Sequence, residues 1–227
     1  MPELSTVNIG DITGLPEREA EHLFRTLRAR QGETVRLMDG NGITAEATVS
    51  GKNSLRIDSL QTHPEPRSKI HIYTAIPKGN ILPALLTSLV EAGASAIIPV
   101  NFQRSVAKPE KPNERWHMRL IEGCKQSGNP FLPALGTVMT VPEMLADAEK
   151  HGASGYFGAI GGQFNMQLSP SPVMALAIGP EGGFTEEEVA AMEAADWKGI
   201  CFSPHVLRLE TAAVTGCVLL NLLGRCC

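Results

Sequence analysis

A chain of 227 residues has room for one large domain, or for a medium domain carrying a small one, and two unequal domains is the opening expectation. Apolar residues make up 43% and charged residues 19%, proportions that exclude wholesale disorder and can supply a real core. The net charge of −4 argues on its face against a polyanionic partner, and five scattered cysteines without CxxC pairing point to reduced thiols rather than a disulfide framework or a zinc site.

The N-terminal "MPELSTVNIGDITG" lacks the basic start and apolar core of a signal peptide, and no apolar run is long enough to span a bilayer, so a cytosolic protein is expected. From Arg18 a short helical stretch sets Ala20, Leu23, Phe24 and Leu27 on one face. The period then changes to alternation: "ETVRLMDG", "GITAEATVSG" and "SLRIDSLQT", separated by Gly-Asn-Gly and Gly-Lys-Asn turns, predict a small β-barrel. The segment "HPEPRSK", 63–69, carries two prolines and mixed charge and reads as a linker. Domains of 1–68 and 69–227 are therefore expected.

Beyond the linker, strands and helices alternate. "KIHIYTAI" reads as a strand, "NILPALLTSLVEAG" as a helix closed by Gly93, and "ASAIIPV" as a strand. "NERWHMRLIEGCKQSG" and "VPEMLADAEKHG" read as helices, then "SGYFGAI" and "VMALAIG" as strands. "TEEEVAAMEAADW" follows as a helix, "GICFSP" as a strand and "ETAAVTGCVLLNLLG" as the last helix. Such alternation implies an α/β domain with a parallel sheet covered on both faces. In the last helix Val214, Val218, Leu219 and Leu222 recur at helical spacing, a face for the domain's own core or for a second subunit.

The modest net charge conceals polarity. Residues 18–36 hold five arginines against three glutamates, and 104–125 hold six basic residues against three acidic ones. Six carboxylates bunch at 181–196 without a Lys or Arg, so the objection to a nucleic-acid partner weakens.

Two bends carry the candidate chemistry. In "AIGPEGGFTEEEV" (177–189) the residues Gly179, Pro180, Gly182 and Gly183 bend the chain between a strand and a helix. Thr185 with Glu188 makes a capping box. Open parallel sheets bind ligands at such strand exits, and glycine lets backbone approach a ligand; a plain structural turn is the alternative. The loop is not a phosphate cradle, since it offers no GxxxxGK[ST] and Glu181, Glu186, Glu187 and Glu188 would repel phosphate, so a neutral or cationic ligand fits better. The second bend, "CFSPHVLRLETAAV", turns at Ser203-Pro204 and leads through Arg208 to a helix at Leu209, Glu210, Thr211 and Ala212. There Glu210 suits the helix dipole, with or without a further role.

Together, "IGPEGGFTEEEV" and "SPHVLRLETAA" resemble the RsmE family of 16S ribosomal RNA uridine-N3 methyltransferases, of the SPOUT class. The similarity runs over most of the chain: "HLFRTLRARQGETVRLMDGNG" is similar to the family's PUA-like β-barrel, and "EAGASAIIPVNFQRSV" and "RWHMRLIEGCKQSGNPFLP" are similar to its first α/β units. The resemblance implies a SPOUT trefoil-knot α/β domain preceded by a small PUA-like β-barrel. It also implies S-adenosylmethionine as cofactor, 16S rRNA or the small ribosomal subunit as partner, a homodimer, and no metal or membrane. Backbone at Ile178, Gly179, Pro180, Glu181, Gly182 and Gly183, and at Phe202, Ser203, Leu207, Leu209, Thr211 and Ala212, would line the cofactor. Arg208 would stabilise the developing uridine anion or grip a phosphate, and Glu210 would contact cofactor or base; a mutual salt bridge is the alternative for this pair. Phosphate contacts would come from Arg25, Arg28 and Arg30 in the small domain and from Arg104, Lys108, Lys111, Arg115 and Lys125 further on. Asn129 and His205 stand where the family commonly carries arginine, and Ser203 where it carries glycine. His205 reads as a uridine neighbour or as an exposed loop residue. An RNA-binding module with weak catalysis, acting in ribosome assembly, is the rival reading.

Overall fold

The computed structural model describes residues 2–159, 171–201 and 203–225. The chain divides into two compact units, one of Met1–Glu65 with Cys124–Leu132 and one of Pro66–Gly123 with Pro133–Cys227.

In the first unit β1 (Ile12–Thr13), β2 (Thr34–Met38), β3 (Ile43–Gly51) and β4 (Ser54–Thr62) form an antiparallel sheet in the order β1-β4-β3-β2. Asp39 shapes the β2–β3 turn, its Oδ1 accepting from the backbone N–H of Asn41 at 2.7 Å and of Ile43 at 3.0 Å, the local bonding that favours Asp in turns. Alternation along β3 and β4 sends Ala45, Ala47, Val49, Leu55 and Ile57 to a core shared with Leu4, Leu15 and Leu37. The expected helix begins as α1 (Glu17–Glu21) and widens into a π-helical turn, His22–Thr26, in which the Leu27 N–H reaches back to His22 O at 2.9 Å. Leu23 and Phe24 pack on the core. Leu27 does not join them, being 62% exposed, because the wider turn rotates it off the apolar face. Arg28, at φ 57, ends the helical path.

Residues 124–132 belong to this first unit although they lie far along the chain. Leu132 N–H donates to Gly40 O at 2.8 Å and Gly42 N–H to Pro130 O at 3.1 Å, while Lys125 pairs with Glu19.

The second unit is built on β5 (Lys69–Thr74), β6 (Ala96–Pro99), β7 (Ala134–Leu135), β8 (Ser154–Gly158), β9 (Val173–Ile178) and β10 (Lys198–Ile200). Their order is β10-β8-β9-β5-β6-β7, every pairing parallel. Central β5 and β9 run in register from Lys69↔Val173 to Thr74↔Ile178. Strand β9 is a continuous apolar run and β5 is buried from Ile70 to Thr74, as a covered parallel sheet requires. Helices α2 (Leu82–Glu91), α3 (Glu114–Ser127), α4 (Val141–Lys150), α5 (Glu186–Ala194) and α6 (Leu209–Arg225) complete the set. Strand β7 is an addition to the sequence expectation, too short for a periodic signal, and the expected strand 199–204 shortens to β10. Ile160 and Phe202, both expected in strands, lie outside the described residues.

Helix α6 packs against α2, β5 and β9. It buries Leu209, Ala213, Cys217 and Leu220, while Val218 and Leu222 are exposed. Of the two alternatives for the face read in the sequence, burial in the domain's own core does not hold for Val218 and Leu222. Asn221 fastens the helix, its Nδ2 donating to Ala92 O at 2.8 Å and Gly93 O at 3.2 Å, carbonyls that the end of α2 leaves without helical partners. Among the described residues no helix is long and apolar enough to cross a membrane.

Helix α4 is tied to the sheet by Tyr73, whose hydroxyl donates to Asp147 Oδ2 at 2.7 Å. Beside it, buried His71 meets the His151 ring edge-on at 5.1 Å, and its Nδ1 has no hydrogen-bond partner among the described residues. Burial, then His151, lowers the His71 pKa from the ordinary 6.5, with Lys69 acting the same way and Asp147 opposing. The unfolded chain therefore takes up this proton first, so the stability that neutral His71 provides is complete above about pH 6.5 and declines as pH falls below it. Urea unfolding from pH 7.5 down should show that decline, and His71→Gln should flatten it; an unchanged pH slope in the variant would assign the decline to other groups.

Candidate active site

A cleft of ≈ 1010 Å³ opens in the second unit, at the carboxyl edge of the parallel sheet, where β8, β9 and β10 give way to loops. Its volume is at the upper end for small-molecule sites. One wall is the loop from β9 to α5. Within it Gly183 N–H donates to Pro180 O at 2.8 Å, closing a tight turn, and Gly183 itself takes φ 71 with open space where a Cβ would stand. A Cβ on Gly179 would stand 3.0 Å from the Phe184 ring, so a side chain there would require that ring to shift by a few tenths of an ångström.

The loop is held from outside by its neighbours. Glu181 Oε1 accepts from the Lys78 N–H at 3.2 Å. Arg104 Nη1 donates to Gly182 O at 3.0 Å and to Phe184 O at 3.1 Å. Phe184 packs edge-on against Phe102 at 5.1 Å and Phe157 at 6.0 Å. The capping box is formed, Glu188 N–H to Thr185 Oγ1 at 3.2 Å and Thr185 N–H to Glu188 Oε2 at 2.9 Å. The second oxygen of Glu188 accepts from Gln103 N–H at 2.6 Å, so this buried carboxylate joins its own helix to the loop after β6.

The facing wall is the bend from β10 to α6. His205 N–H donates to Ser203 Oγ at 3.1 Å and Cys201 Sγ to Ser203 O at 3.0 Å, fixing the turn that sequence alone located at Ser203-Pro204. Of the residues expected at a cofactor, Ile178, Gly179, Pro180, Glu181, Gly182 and Gly183 line the cleft from one side. Ser203, Leu207, Leu209 and Ala212 line it from the other. Thr211 is exposed on the first turn of α6 and is not part of the lining, and Phe202 lies outside the described residues. Arg208 and Glu210 both line the cleft; the salt bridge considered for them is absent among the described residues. His205 lines it too and is exposed.

The basic residues separate into two groups. Arg25, Arg28, Arg30 and Lys125 lie in the first unit, Arg104, Lys108, Lys111 and Arg115 in the second. Arg25 pairs with Glu21 at 2.7 Å and Lys125 with Glu19, Lys108 Nζ donates to Gln103 O at 3.1 Å, and Lys111 and Arg115 are exposed. Sequence reasoning placed Arg104 with the phosphate contacts and missed its seat in the cleft, along with Ile81, Phe157 and Glu193. They come from separate parts of the chain, Ile81 and Arg104 from the loops after β5 and β6, Phe157 from β8 and Glu193 from the last turn of α5, and no local pattern marks such a convergence.

Two family models match the chain: an RNA methyltransferase domain over residues 63–221 and an RNA methyltransferase PUA domain over 15–58. The chain belongs to this RNA methyltransferase family. Ribosomal RNA small subunit methyltransferase E of Bacillus subtilis is 26% identical over 224 residues, covering 88% of this chain and 85% of the relative. The protein of the same name from Synechocystis is 27% identical over 223 residues, covering 92% and 72%. Among solved structures, ribosomal RNA small subunit methyltransferase E of Neisseria gonorrhoeae, bound to S-adenosyl methionine, superposes with a TM-score of 0.87 at 27% identity, covering 98% of this chain and 95% of that one. A putative methyltransferase of Legionella pneumophila, also with that cofactor, gives 0.79 at 26% identity, with coverage of 96% and 94%. The RsmE resemblance carried by the two bends is borne out, and so is the fold class of a parallel-sheet α/β domain after a PUA-like one.

Gly183 owes its place to conformation alone, since nothing crowds a Cβ there. Gly183→Ala should cost about 1–2 kcal/mol and Gly183→Asn less, because asparagine tolerates the left-handed region. Urea midpoints ordered Gly, Asn, Ala would bear this out, and equal midpoints would show that the loop relaxes out of its turn.

Proposed function

We propose that this methyltransferase uses S-adenosylmethionine to methylate N3 of a uridine in 16S rRNA of the small ribosomal subunit, acting in the cytoplasm as a homodimer with a trefoil-knotted catalytic domain. One observation carries the reading: two bent strand exits, Gly179–Gly183 and Ser203–Ala212, face each other across one cleft in a chain that aligns along nearly its whole length with a cofactor-bound relative. The residues fit the cofactor by their chemistry. Ile178, Leu207, Leu209 and Ala212 offer apolar walls, the glycine loop offers backbone polar groups at close range, and Glu193 and Glu210 place carboxylates on the lining, where a cationic sulfonium is favoured over a phosphate. When bound, the cofactor supplies an electrophilic methyl carbon on a positively charged sulfur.

The protein's own part is positioning and charge. Uridine N3 carries a proton at neutral pH, and its loss to water leaves negative charge on the uracil ring. Arg208, permanently charged and rich in N–H donors, is exposed at the cleft and meets that charge. Glu210, on the first turn of α6, contacts the cofactor or the base. Holding N3 and the methyl carbon in line accounts for much of the remaining acceleration. No metal takes part in this scheme, and among the described residues no metal-binding group occurs.

After the edge strand β10 the chain returns to pack α6 against central β5 and β9, the placement a knotted C-terminal segment would have. Exposed Val218 and Leu222 on α6 support a subunit interface there. Lys108, Lys111 and Arg115 in one unit, with Arg25, Arg28 and Arg30 in the other, are the proposed phosphate contacts.

Small subunits from a strain lacking this gene, incubated with protein and labelled cofactor, should gain one methyl group that maps to a uridine N3. Arg208→Ala should lower kcat about 10²–10³-fold while calorimetry finds cofactor affinity intact, and unchanged turnover would remove Arg208 from the chemistry. Binding of RNA without methylation would favour the assembly-module reading, for which Asn129 speaks: its Oδ1 accepts from Phe131 N–H at 3.0 Å, a structural use of a position where the family commonly carries arginine.

RNA affinity should fall steeply with salt. Lys111→Ala and Arg115→Ala should each reduce the log–log slope by about 1; a salt-independent affinity would exclude phosphate-led binding.

A further inference from the structure

Three consecutive residues after β6 grip the glycine loop, each by a different contact. The Phe102 ring packs on Phe184, Gln103 N–H binds Glu188, and the Arg104 guanidinium takes the Gly182 and Phe184 carbonyls. Their own shape is fixed by a closed turn, Phe102 N–H to Ser105 Oγ and Ser105 N–H to Phe102 O, both at 3.1 Å, with Phe102 and Ser105 buried. Arg104 alone of the three reaches the loop with an exposed side chain acting through polar atoms.

What Arg104 holds can be followed from peptide geometry. In a trans peptide the carbonyl of one residue and the N–H of the next are fixed in one plane, pointing opposite ways. The Gly182 carbonyl therefore shares a plane with the Gly183 N–H, which closes the turn on Pro180 O, and the Phe184 carbonyl shares one with the Thr185 N–H, which feeds the capping box. One Arg104 nitrogen thus fixes both peptide planes on either side of Gly183 and Phe184. It locks the glycine turn to the start of α5, two substructures that share no other hydrogen bond among those described.

We propose that Arg104 is a positioning residue for the cofactor site, holding the Gly179–Phe184 loop in its binding shape before the ligand arrives. The inference rests on the methyltransferase reading above. Without the guanidinium, a loop with glycines at 179, 182 and 183 samples many conformers, and the cost of ordering them falls on binding. Arg104→Ala should then weaken S-adenosylmethionine about tenfold in calorimetry. The cofactor KM should rise in parallel, while kcat at saturating cofactor falls less than threefold. Arg104→Lys, with one charged head for two carbonyls, should recover part of the affinity.

Hydrogen exchange on the cofactor-free protein gives an independent readout: the Gly183 and Thr185 amides should exchange faster in Arg104→Ala, with β5 and β9 protection unchanged to show an intact fold. Unchanged cofactor affinity and unchanged exchange would overturn the proposal, as would weakened RNA binding with cofactor affinity intact, the signature of a phosphate contact. If the wild-type protein itself fails to bind S-adenosylmethionine, the methyltransferase reading falls, and exchange at Gly183 and Thr185 still decides whether Arg104 holds the loop.

Discussion

The cleft depends on one buried carboxylate. Glu188 accepts from Thr185 N–H through one oxygen and from Gln103 N–H through the other, charge-assisted bonds that are shorter and stronger than neutral ones. The first fixes where α5 begins. The second fixes that beginning relative to the exit of β6, and because Phe102 and Arg104 flank Gln103, it brings their contacts into reach. Removing this carboxylate would leave two N–H donors without their acceptor and would loosen the glycine loop from the loop beside it, which is costly where water cannot replace the lost partner.

Behind that clamp the strands are closely packed. Central β5 and β9 bury Ile70, Ile72, Tyr73, Met174, Ala175, Leu176 and Ala177 almost completely, and their register carries Thr74 and Ile178 to the same edge of the sheet. The loops that follow leave from adjacent points on one rigid rim. Positions there are set by the sheet to within side-chain reach, so a single hydrogen bond such as Glu181 to Lys78 N–H can join segments a hundred residues apart. A site on such exits inherits the sheet's precision while keeping backbone N–H and C=O groups available to a ligand.

How much of this the sequence disclosed follows from the range of each interaction. The glycine bend, the Thr185–Glu188 box and the Ser203-Pro204 turn are spelled within a few residues, and all three occur as read. Strand and helix alternation was legible for the same reason. The return of residues 124–132 to the first unit was not, since it depends on Gly40 and Gly42 meeting Pro130 and Leu132, a pairing that no periodicity announces. Nor was the fate of Leu27, whose place on the apolar face is undone by one wide helical turn. Arg104 shows the same limit from the functional side: in the sequence it is one of six basic residues in a run, and only the fold sets it beside Gly182.

The acidic cluster at 181–196 looks different in this light. Read as charge alone, it made the loop hostile to phosphate. In the structure two of its members have assigned tasks, Glu181 on Lys78 N–H and Glu188 in the clamp, and Glu186 and Glu187 stand exposed on the first turn of α5, where negative charge suits the helix dipole. Glu181, Glu193 and Glu210 line the cleft together with Arg104 and Arg208. A site with both signs of charge on apolar walls suits a ligand that is itself divided between a cationic centre and polar or anionic groups. Arg104 already has its carbonyl partners, whereas Arg208 lines the same cleft with no ion-pair partner among the described residues.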